Sequence, residues 1–463
     1  MTAARQLADL LEPGVVSTNS ADLDAHASDW APGALLERRR GRAPAPPSCV
    51  VRPRSTEEVG TVLSWAHETS TPIVPWGGGS GVLAGVASGG NVVVDLSALD
   101  ELGEVDAKSR LVRAGAGVTG PALAEHLAAT GYLLGHEPQS VAISTVGGWI
   151  ATRACGQLSA RYGGIESVLA GFTAVLPGGR TVRSKTVPRR AAGPDVASLM
   201  IGSEGTLGIV TEAELRVSPV PTERADLCLR FGHMADGVAA CRALAQSDLR
   251  PTLVRLYDTE DAAIFLRHHP DEPQGPLLLV SFDGRGAEWR ANDAAGLCGG
   301  TRGTDALVAH WWEHRNDAVD EFRRLMAGEG LLGPHAVVDT MEVAGTWTVL
   351  RGLYHSMKGE LGAVADIAGC HLSHVYADGA CLYFTLASAC EDDDEAAAKL
   401  DTWWETGMRA CLDAGGSISH HHGIGRVKAR WLEEELGGWL EVLRAVKRTI
   451  DPHNVMNPGA LGL

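Results

Sequence analysis

A run of small residues, Gly77-Gly78-Gly79-Ser80-Gly81, is the first feature of the sequence that could do chemistry. With no side chains in front of them, successive backbone N–H groups in such a run can approach a phosphate closely. The run lacks the Lys and hydroxyl pair of a P-loop and the G-x-G-x-x-G spacing of a Rossmann turn. By itself it fits a phosphate-binding loop and a flexible turn equally well.

Three later segments combine small residues with hydroxyl groups, and they lie at 144–148, 151–156 and 202–208. Hydroxyls and unobstructed backbone amides are the donors that phosphate and polyol oxygens require. Together with the glycine run, these segments predict one large polar cradle.

Three adjacent histidines, His420, His421 and His422, could bind a metal ion or move protons, and Tyr376 carries a hydroxyl whose role the residues alone do not assign. An unperturbed tyrosine has a pKa of ~10, so it acts as a base near neutral pH only if cations such as His or Arg stabilise its phenolate. In an extended segment neighbouring side chains point to opposite faces, so at most His420 and His422 could share a metal ion. From the residues alone, a buried hydroxyl at Tyr376 and an interdomain ion pair at Arg255 are the favoured interpretations.

Charge excludes some partners. Forty basic and fifty-seven acidic side chains give a formal charge of -17, which repels phosphate backbones and anionic lipid surfaces. We therefore expect no nucleic-acid partner, although a cleft with a few Arg or His residues could still bind a small phosphorylated or carboxylated substrate. A homodimer is compatible with the sequence, which does not determine the oligomeric state.

The nine cysteines show no C-x-x-C spacing, which indicates buried thiols in a reducing compartment rather than disulfides or a zinc knuckle. We expect a cytoplasmic protein. No apolar run has the length of a signal-peptide core near the N-terminus or reaches the ~18 residues of a membrane span, and the C-terminal residues are not a peroxisomal signal.

Element patterns divide the chain into three parts. Residues 1–47 are predicted to be an arm that begins with an amphipathic helix and ends in a proline-rich linker. Between 48 and 221 a capping box at Ser55 predicts a helix start, and apolar runs at 72–76, 91–97 and 110–118 predict strands. Residues 222–463 show helical patterns at 252–269 and 318–330 and a β-like segment at 373–388. We expect the end of this last domain to return to the preceding one.

In this order, PWGGGSGVLAG, HEPQSVAISTVGGWIATRACG and GPDVASLMIGSEGTLGIVTEA resemble the FAD-binding domain of the vanillyl-alcohol-oxidase (PCMH-type) family over residues 48–221. The resemblance implies an α+β fold, in which a bipartite FAD-binding domain precedes an α+β cap domain of the FAD-linked oxidase type. The glycine run would wrap the pyrophosphate, and because it contains no His we expect non-covalent FAD. The implied cofactor-binding residues are Pro75, Gly77, Gly78, Gly79, Ser80, Gly81, Gln139, Ser140, Ser144, Thr145, Gly147, Gly148, Thr152, Arg153, Ala154, Cys155, Glu204, Gly205, Thr206, Ile209 and Val210.

The segments ARYGGIES, LVRLYD, YADGACLYF and SHHHGIGRVKARWL resemble the alkyl-dihydroxyacetone-phosphate synthases, ether-lipid enzymes of this family, so that the likeness covers residues 48–460. The resemblance implies that Tyr376 is the catalytic acid/base and that His420, His421 and His422 form a catalytic cluster. It further implies that Arg315 binds substrate and that Arg255 lies close to the active site. The implied reaction exchanges acyl for alkyl on a phosphorylated ketone through a flavin N5 adduct, without net oxidation.

A second interpretation is an FAD-dependent oxidase or dehydrogenase that removes hydride from a 2-hydroxy acid or another alcohol, since related scaffolds host many reactions. The related 2-hydroxy-acid dehydrogenases bind a divalent metal through a Glu before His-Gly and a later His in the strand segment. Here His421 stands at the Glu position and no His follows Asp378-Gly379 in ADGACLYF. We therefore expect no metal. A non-catalytic flavin carrier is the third and least favoured interpretation.

Overall fold

The computed structural model describes residues 1–266, 269 and 275–463. These residues form two compact units, of which unit 1 comprises Met1–Ala154, Gly164–Pro219 and His421–Leu463. Unit 2 comprises Cys155–Gly163 and Val220–His420. The first 47 residues, predicted to be an arm, are thus part of unit 1, and the C-terminal return to unit 1 begins at His421.

The strands of unit 1 build two sheets and a short ribbon. One sheet has the order β1-β2-β4-β3, with β1 antiparallel to β2 and the other pairs parallel, and the second has the antiparallel order β5-β9-β7-β8, while β6 pairs with β10. The strands are β1 (Val16–Ser17), β2 (Cys49–Val51), β3 (Ile73–Trp76), β4 (Val92–Asp95), β5 (Leu111–Gly115), β6 (Tyr132–Leu133), β7 (Leu169–Val175), β8 (Thr181–Arg183), β9 (Ile209–Arg216) and β10 (Ser218–Pro219).

Unit 2 contains an antiparallel sheet with the order β14-β11-β13-β12-β16-β17-β15 among its described residues. Its strands are β11 (Arg224–Arg230), β12 (Leu253–Tyr257), β13 (Leu277–Asp283), β14 (Thr301–Arg302), β15 (Val337–Thr346), β16 (Ile367–Ser373) and β17 (Gly379–Ser388).

Helices accompany both sets of strands. In chain order they are α1 (Ala3–Leu10), α2 (Ser20–Ala25), α3 (Pro32–Arg39), α4 (Thr56–Thr69), α5 (Gly120–Ala128), α6 (Val146–Thr152), α7 (Ser159–Tyr162), α8 (Ile165–Val168), α9 (Met234–Ala245), α10 (Thr259–Phe265), α11 (Ala287–Cys298), α12 (Ala306–His314), α13 (Ala318–Met326), α14 (Trp347–Gly362), α15 (Asp393–Asp413), α16 (Leu432–Leu436) and α17 (Trp439–Ile450).

Local sequence signals explain several of these boundaries. The Ser55 hydroxyl accepts a hydrogen bond from the Glu58 backbone N at 3.2 Å and caps α4, as the capping box predicted. The apolar runs at 72–76, 91–97 and 110–118 contain β3, β4 and β5, and the β-like segment at 373–388 contains β17. These strand predictions are confirmed because each run pairs in a sheet.

The helix predicted over 252–269 is wrong at its start. Residues 253–257 form β12, which lies between β13 and β16 and has every residue buried. Four apolar or aromatic residues around Arg255 make a segment too short to be told from a helix turn by periodicity alone, and here pairing on both sides decides for strand. The helix α10 begins only at Thr259, capped by Asp258, and residues 267 and 268 of the predicted helix lie outside the described residues.

Apolar side chains form separate cores within the units. In unit 1 one cluster includes Trp149 and Phe172 and another includes Leu63 and Ile73, while in unit 2 Trp311 packs with Leu279 and Tyr257. All nine cysteines are free and seven are buried. None of the helices formed by the described residues is both long and apolar enough to cross a bilayer.

Candidate active site

The glycine run follows β3 directly, at the carboxyl end of a parallel strand, and its backbone approaches the segment 143–148 closely. A Cβ on Gly77 would lie 2.6 Å from the Thr145 hydroxyl oxygen, and a Cβ on Gly78 would overlap the Ile143 carbonyl oxygen. Carboxyl ends of parallel strands are where open α/β sheets bind ligands. The run is therefore a built loop rather than a flexible turn.

Helix α6 begins at the edge of the same loop. Its cap is Thr145, whose hydroxyl accepts from the Gly148 N–H at 3.4 Å. The Trp149 indole N–H donates to the Ser144 hydroxyl at 2.8 Å, and this fixes the strand-to-helix turn. The first N–H groups of α6 already donate within unit 1, from Val146 to the Val118 carbonyl at 3.0 Å and from Gly147 to the Ala116 carbonyl at 2.8 Å. What this helix start offers a ligand is therefore close approach to bare backbone.

A cavity of about 350 Å³ opens between these segments and is lined by Gly77, Gly78, Ile143 and Thr145 together with Ser97, Asp100, Gly117, Val118, Thr119 and Ala122. Its volume lies in the range of ~300–1,000 Å³ that ligand pockets occupy. Gly77 and Gly78 line it with bare backbone, and their lack of side chains lets that backbone lie against Thr145 and Ile143. The residues present therefore fit a dinucleotide cofactor.

Other predicted cofactor residues surround this loop with different roles. The Gly205 Cα lies against the Pro75 ring, and the Thr206 hydroxyl donates to the Ser203 carbonyl at 2.7 Å. The Glu204 carboxylate, which is 9% exposed, accepts from the backbone N–H groups of Ile424 and Gly425 at 2.7 and 2.8 Å. Burial raises the pKa of Glu204. Its carboxylate thus stabilises the C-terminal segment.

The remaining members of the predicted set lie at 139–140, 152–155 and 209–210. The Ser140 carbonyl accepts from the Ser144 N–H at 2.9 Å, and the Thr152 hydroxyl donates to the Gly148 carbonyl at 2.9 Å. Arg153 is exposed and its guanidinium lies 3.9 Å from Glu166. Ile209 and Val210 begin β9 and are buried. Cys155, by contrast, belongs to unit 2.

Tyr376 follows β16 in unit 2 and forms the centre of a polar cluster. Its hydroxyl lies 3.1 Å from His420 Nε2 and 3.4 Å from Cys155 Sγ. The rings of Tyr376 and His420 are nearly parallel, with centroids 5.7 Å apart. The structure thus brings together Tyr376 and His420, two of the predicted catalytic residues, and adds a thiol to them.

Two further groups position this pair. The buried Glu342 carboxylate of β15 accepts from the Ser419 hydroxyl at 2.9 Å and from the His420 backbone N–H. His374 packs its ring 4.8 Å from that of His420 and shares a 2.7 Å hydrogen bond with the Ser159 hydroxyl through Nδ1. His421 and His422 belong to unit 1, where their rings contact each other at 4.6 Å.

Burial, followed by the neighbouring Cys155, raises the pKa of Tyr376 well above its usual value. The Tyr376 hydroxyl has a thiol, an imidazole and the Ser159 hydroxyl as neighbours in unit 2. Stabilisation of its phenolate by cations stays a prediction. Within unit 2, the raised pKa keeps this side chain a phenol at neutral pH. Any base in this pair must be His420.

Donor atoms of Cys155, His374 and His420 lie within 4.8 Å of one another, a set that could hold a metal ion. Thiolate with two imidazoles is a donor set that zinc accepts. The side chains of Cys155, His374 and His420 also make the hydrogen bonds and ring contacts described above. That the site holds no metal stays a prediction.

The two predicted substrate arginines lie in different surroundings. Arg315 ends α12, donates to the Trp312 carbonyl and places its guanidinium 5.0 Å from the Trp312 ring centroid. Arg255 on β12 is 6% exposed, lies over the rings of Tyr257, Phe265 and Trp311 at 5.4 to 5.5 Å, and is 2.7 Å from His371 Nε2. Arg255 is thus a buried cation within unit 2.

Sequence reasoning missed three members of the tyrosine cluster: His374, Ser159 and Glu342. His374 stands two residues before Tyr376, and that proximity was a usable signal. Glu342 and Ser159 carry no sequence signal, because only the pairing of β15 with β17 and the position of α7 bring them near residues 376 and 420.

Comparison with known proteins identifies the family of the chain. Residues 220–461 match the family described as FAD linked oxidases, C-terminal domain, and residues 47–185 match the family described as FAD binding domain. The chain belongs to the FAD-linked oxidases, and its cofactor is FAD. The predicted family, the α+β fold class and the assignment as an FAD-dependent enzyme are confirmed.

Individual relatives differ in their named activities. The chain is 30% identical over 461 residues to an alkyldihydroxyacetonephosphate synthase from Dictyostelium discoideum, covering 92% of this chain and 75% of the relative. It is 29% identical over 431 residues to a mitochondrial D-lactate dehydrogenase [cytochrome] from Arabidopsis thaliana, covering 90% and 73%. A solved structure of an alkyldihydroxyacetonephosphate synthase superimposes with a TM-score of 0.78 at 26% identity, covering 98% of this chain and 84% of the other.

Proposed function

We propose that this FAD-dependent enzyme exchanges an acyl group for an alkyl group on a phosphorylated ketone, as an alkyl-dihydroxyacetone-phosphate synthase does. The observation that carries the proposal is the pairing of the Tyr376 hydroxyl with His420 Nε2 at 3.1 Å. The similarity to proteins named as such synthases, in sequence and in solved structure, supports it.

Bound FAD would supply the ring nitrogen that holds the substrate carbon during the exchange. The residues that would hold the cofactor without a covalent bond are the glycine run at 77–81, the segment 144–148 and the turn at 204–206. Their contribution is shape and backbone N–H groups, since Gly77 and Gly78 line the cavity with bare backbone beside Thr145.

The tyrosine and the histidine would move the substrate proton together. Because the pKa of Tyr376 is raised, its oxygen can accept a substrate proton only as its own proton passes to His420 Nε2. Glu342 keeps residue 420 in place through its backbone N–H. Over the whole exchange, the carbon–oxygen bond to the fatty acid breaks, a bond to the alcohol forms, and the alcohol proton leaves with the carboxylate.

Arg315 is the residue we propose for the substrate phosphate, because a guanidinium matches phosphate oxygens in geometry and charge. His421 and His422 of unit 1 are proposed as proton-handling or phosphate-binding residues. Arg255, buried among aromatic rings, would act by positioning its neighbours. For the compartment we propose the cytoplasm, supported by nine free thiols.

Replacing Tyr376 with Phe tests this assignment. We expect exchange of labelled fatty alcohol into acyl-dihydroxyacetone phosphate to fall by roughly 10²–10⁴-fold, the usual contribution of a positioned acid or base, with FAD content unchanged. Tyr354→Phe is the matched control, since this buried tyrosine bonds Asp258 at 3.2 Å on another part of unit 2. Full turnover in Tyr376→Phe would remove Tyr376 from the mechanism.

The alternative is hydride removal from a 2-hydroxy acid, favoured by the relative named D-lactate dehydrogenase. Anaerobic mixing with a panel of 2-hydroxy acids and alcohols separates the two functions. Exchange without bleaching of the flavin supports the synthase, whereas rapid bleaching by one of these substrates would replace that proposal with a dehydrogenase.

A further inference from the structure

The second half of the loop between β3 and β4 is paired with an N-terminal segment. The Trp30 N–H donates to the Gly81 carbonyl at 2.8 Å, and the Ser88 hydroxyl donates to the Ala27 carbonyl at 2.9 Å. Ser28 forms an isolated antiparallel bridge with Ala87. Residues 27–30 thus run alongside residues 81–88, the segment that follows the glycine run in the chain.

Asp29 lies in the middle of this pairing, 2% exposed. Its carboxylate accepts from the backbone N–H groups of Val86 and Ala31, each at 3.2 Å. A Cβ on Gly81 would lie 2.9 Å from Asp29 Oδ2. The carboxylate therefore packs directly against the end of the glycine run and receives hydrogen bonds from the far end of the loop.

Charged groups from other parts of unit 1 also contact the loop. A Cβ on Gly85 would lie 3.8 Å from both Asp29 Oδ2 and Glu204 Oε2. Arg426 Nη1 donates to the carbonyls of Ala84 and Gly85 at 2.8 and 3.0 Å. Residues 81–86 are thus held between two carboxylates and one guanidinium.

Keeping a carboxylate at this position costs stability. Burial raises the pKa of Asp29 to about 7, against the lowering effect of the backbone N–H groups and of Arg426. A neutral side chain of the same size would avoid that desolvation. The benefit of the carboxylate must therefore lie in the loop conformation that it imposes.

We propose that Asp29 is a positioning residue for FAD, which fixes residues 81–86 so that the glycine run presents its backbone N–H groups to the cofactor pyrophosphate. It acts through the loop and does not contact the cofactor. The inference depends on FAD binding and is independent of whether the enzyme exchanges acyl groups or removes hydride.

The test is Asp29→Asn in the full-length protein, in which an amide N–H₂ replaces one of the two acceptor oxygens. We expect the FAD dissociation constant, measured by flavin fluorescence, to rise about tenfold, while the melting temperature of the protein freed of FAD does not fall at pH 8. Asp24→Asn is the matched control, because Asp24 in α2 contacts Arg38 only through its backbone carbonyl among the described bonds.

Two outcomes would overturn the proposal. An unchanged FAD dissociation constant in Asp29→Asn would show that the loop needs no carboxylate. A parallel loss of FAD affinity and of the melting temperature of the FAD-free protein would show that Asp29 is only a structural residue. Asp29→Glu provides the converse measurement. Because it keeps a carboxylate at this site, it should bind FAD more tightly than Asp29→Asn does.

Discussion

At the scale of single residues, the buried chain Arg255, His371 and Asp261 shows how a charge is accommodated inside unit 2. Arg255 donates to His371 Nε2 at 2.7 Å, so the other ring nitrogen, Nδ1, carries the proton that Asp261 accepts at 2.7 Å. The three residues are 6%, 2% and 0% exposed. Removing one partner of such a group leaves a buried charge uncompensated.

The neutral His371 makes unit 2 sensitive to acid. Burial, followed by the Arg255 charge, lowers the pKa of His371 to about 4. Because the folded-state pKa lies below the unfolded value of ~6.5, this histidine stabilises the fold above pH ~6.5 and that contribution is lost as pH falls toward 4. The loss should be on the order of 3 kcal/mol.

Urea unfolding of His371→Gln between pH 7 and 4.5 measures this contribution. The variant should have a flatter dependence of the free energy of unfolding on pH than wild type. His355→Gln, at an exposed position on α14, should keep the wild-type slope. Equal slopes in His371→Gln and wild type would show that His371 does not titrate with folding.

Residue chemistry also marks how far the sequence predicts the site. Tyr376 and His420 were predicted from a family resemblance, and the structure brings their side chains together. The protonation of the pair could not be predicted, because the raised pKa of Tyr376 depends on its burial beside Cys155. Cys155 was predicted among the cofactor-binding residues, and its contact with Tyr376 leaves that prediction untested.

At the scale of elements, the glycine run packs against the segment that precedes α6, and this packing requires glycine, which has no side chain. In Gly78→Ala the new methyl would overlap the Ile143 carbonyl oxygen, a backbone atom that cannot move without displacing the helix start. We expect FAD affinity to fall by at least about a hundredfold, or roughly 2.7 kcal/mol. Flavin retention during gel filtration and a fluorescence titration both measure this.

Gly85→Ala is the matched variant in the same loop. Its Cβ would lie 3.8 Å from the nearest atoms, which is ordinary contact, and its N–H stays in place, so FAD affinity should change by no more than a few-fold. If both variants bind FAD as wild type does, the cavity beside Gly78 is not the cofactor site.

Element prediction was reliable where a local rule applied and failed where only pairing decides. The Ser55 cap and the strands β3, β4 and β5 follow from capping chemistry and short apolar runs. Residues 253–257 have the same apolar character as a helix turn, and they form a strand because β13 and β16 lie on either side. The sheet order of unit 2 is non-sequential, which no local pattern encodes.

At the scale of the whole molecule, unit 1 is closed by the C-terminal segment. The Lys447 ammonium is buried and donates to the carbonyls of Thr206 and Met456 at 2.9 and 2.8 Å and to Asp451 at 2.6 Å. Asn457 adds a backbone hydrogen bond to Ile73 of β3 at 2.8 Å. Residues 447–457 therefore help to hold unit 1 together.

Lys447→Met should destabilise the protein by roughly 3–5 kcal/mol, because it leaves the buried Asp451 charge without its partner. Thermal unfolding followed by release of flavin fluorescence measures the effect in unit 1. Lys399→Met, whose ammonium lies 3.7 and 3.8 Å from two carboxylates near the surface, should change stability by less than about 1 kcal/mol. A comparable loss of stability in both variants would show that Lys447 does not specifically stabilise the C-terminal segment within unit 1.

Chelation tests the expectation that the enzyme uses no metal. Prolonged dialysis against EDTA should leave both FAD content and activity unchanged, since no sequence counterpart of the dehydrogenase Glu exists at His421. Loss of activity that zinc restores would instead assign the donor set of Cys155, His374 and His420 a metal.

The division of unit 1 into three stretches of chain has a consequence for synthesis on the ribosome. The first two stretches emerge early, but β3 receives its partners at Val455 and Asn457 only after the residues of unit 2 have been made. At ~5–20 residues per second, the intervening residues take roughly 10–50 s to be made. During that interval the nascent flavin unit lacks its final stretch, so loading of the cofactor becomes a step that follows translation.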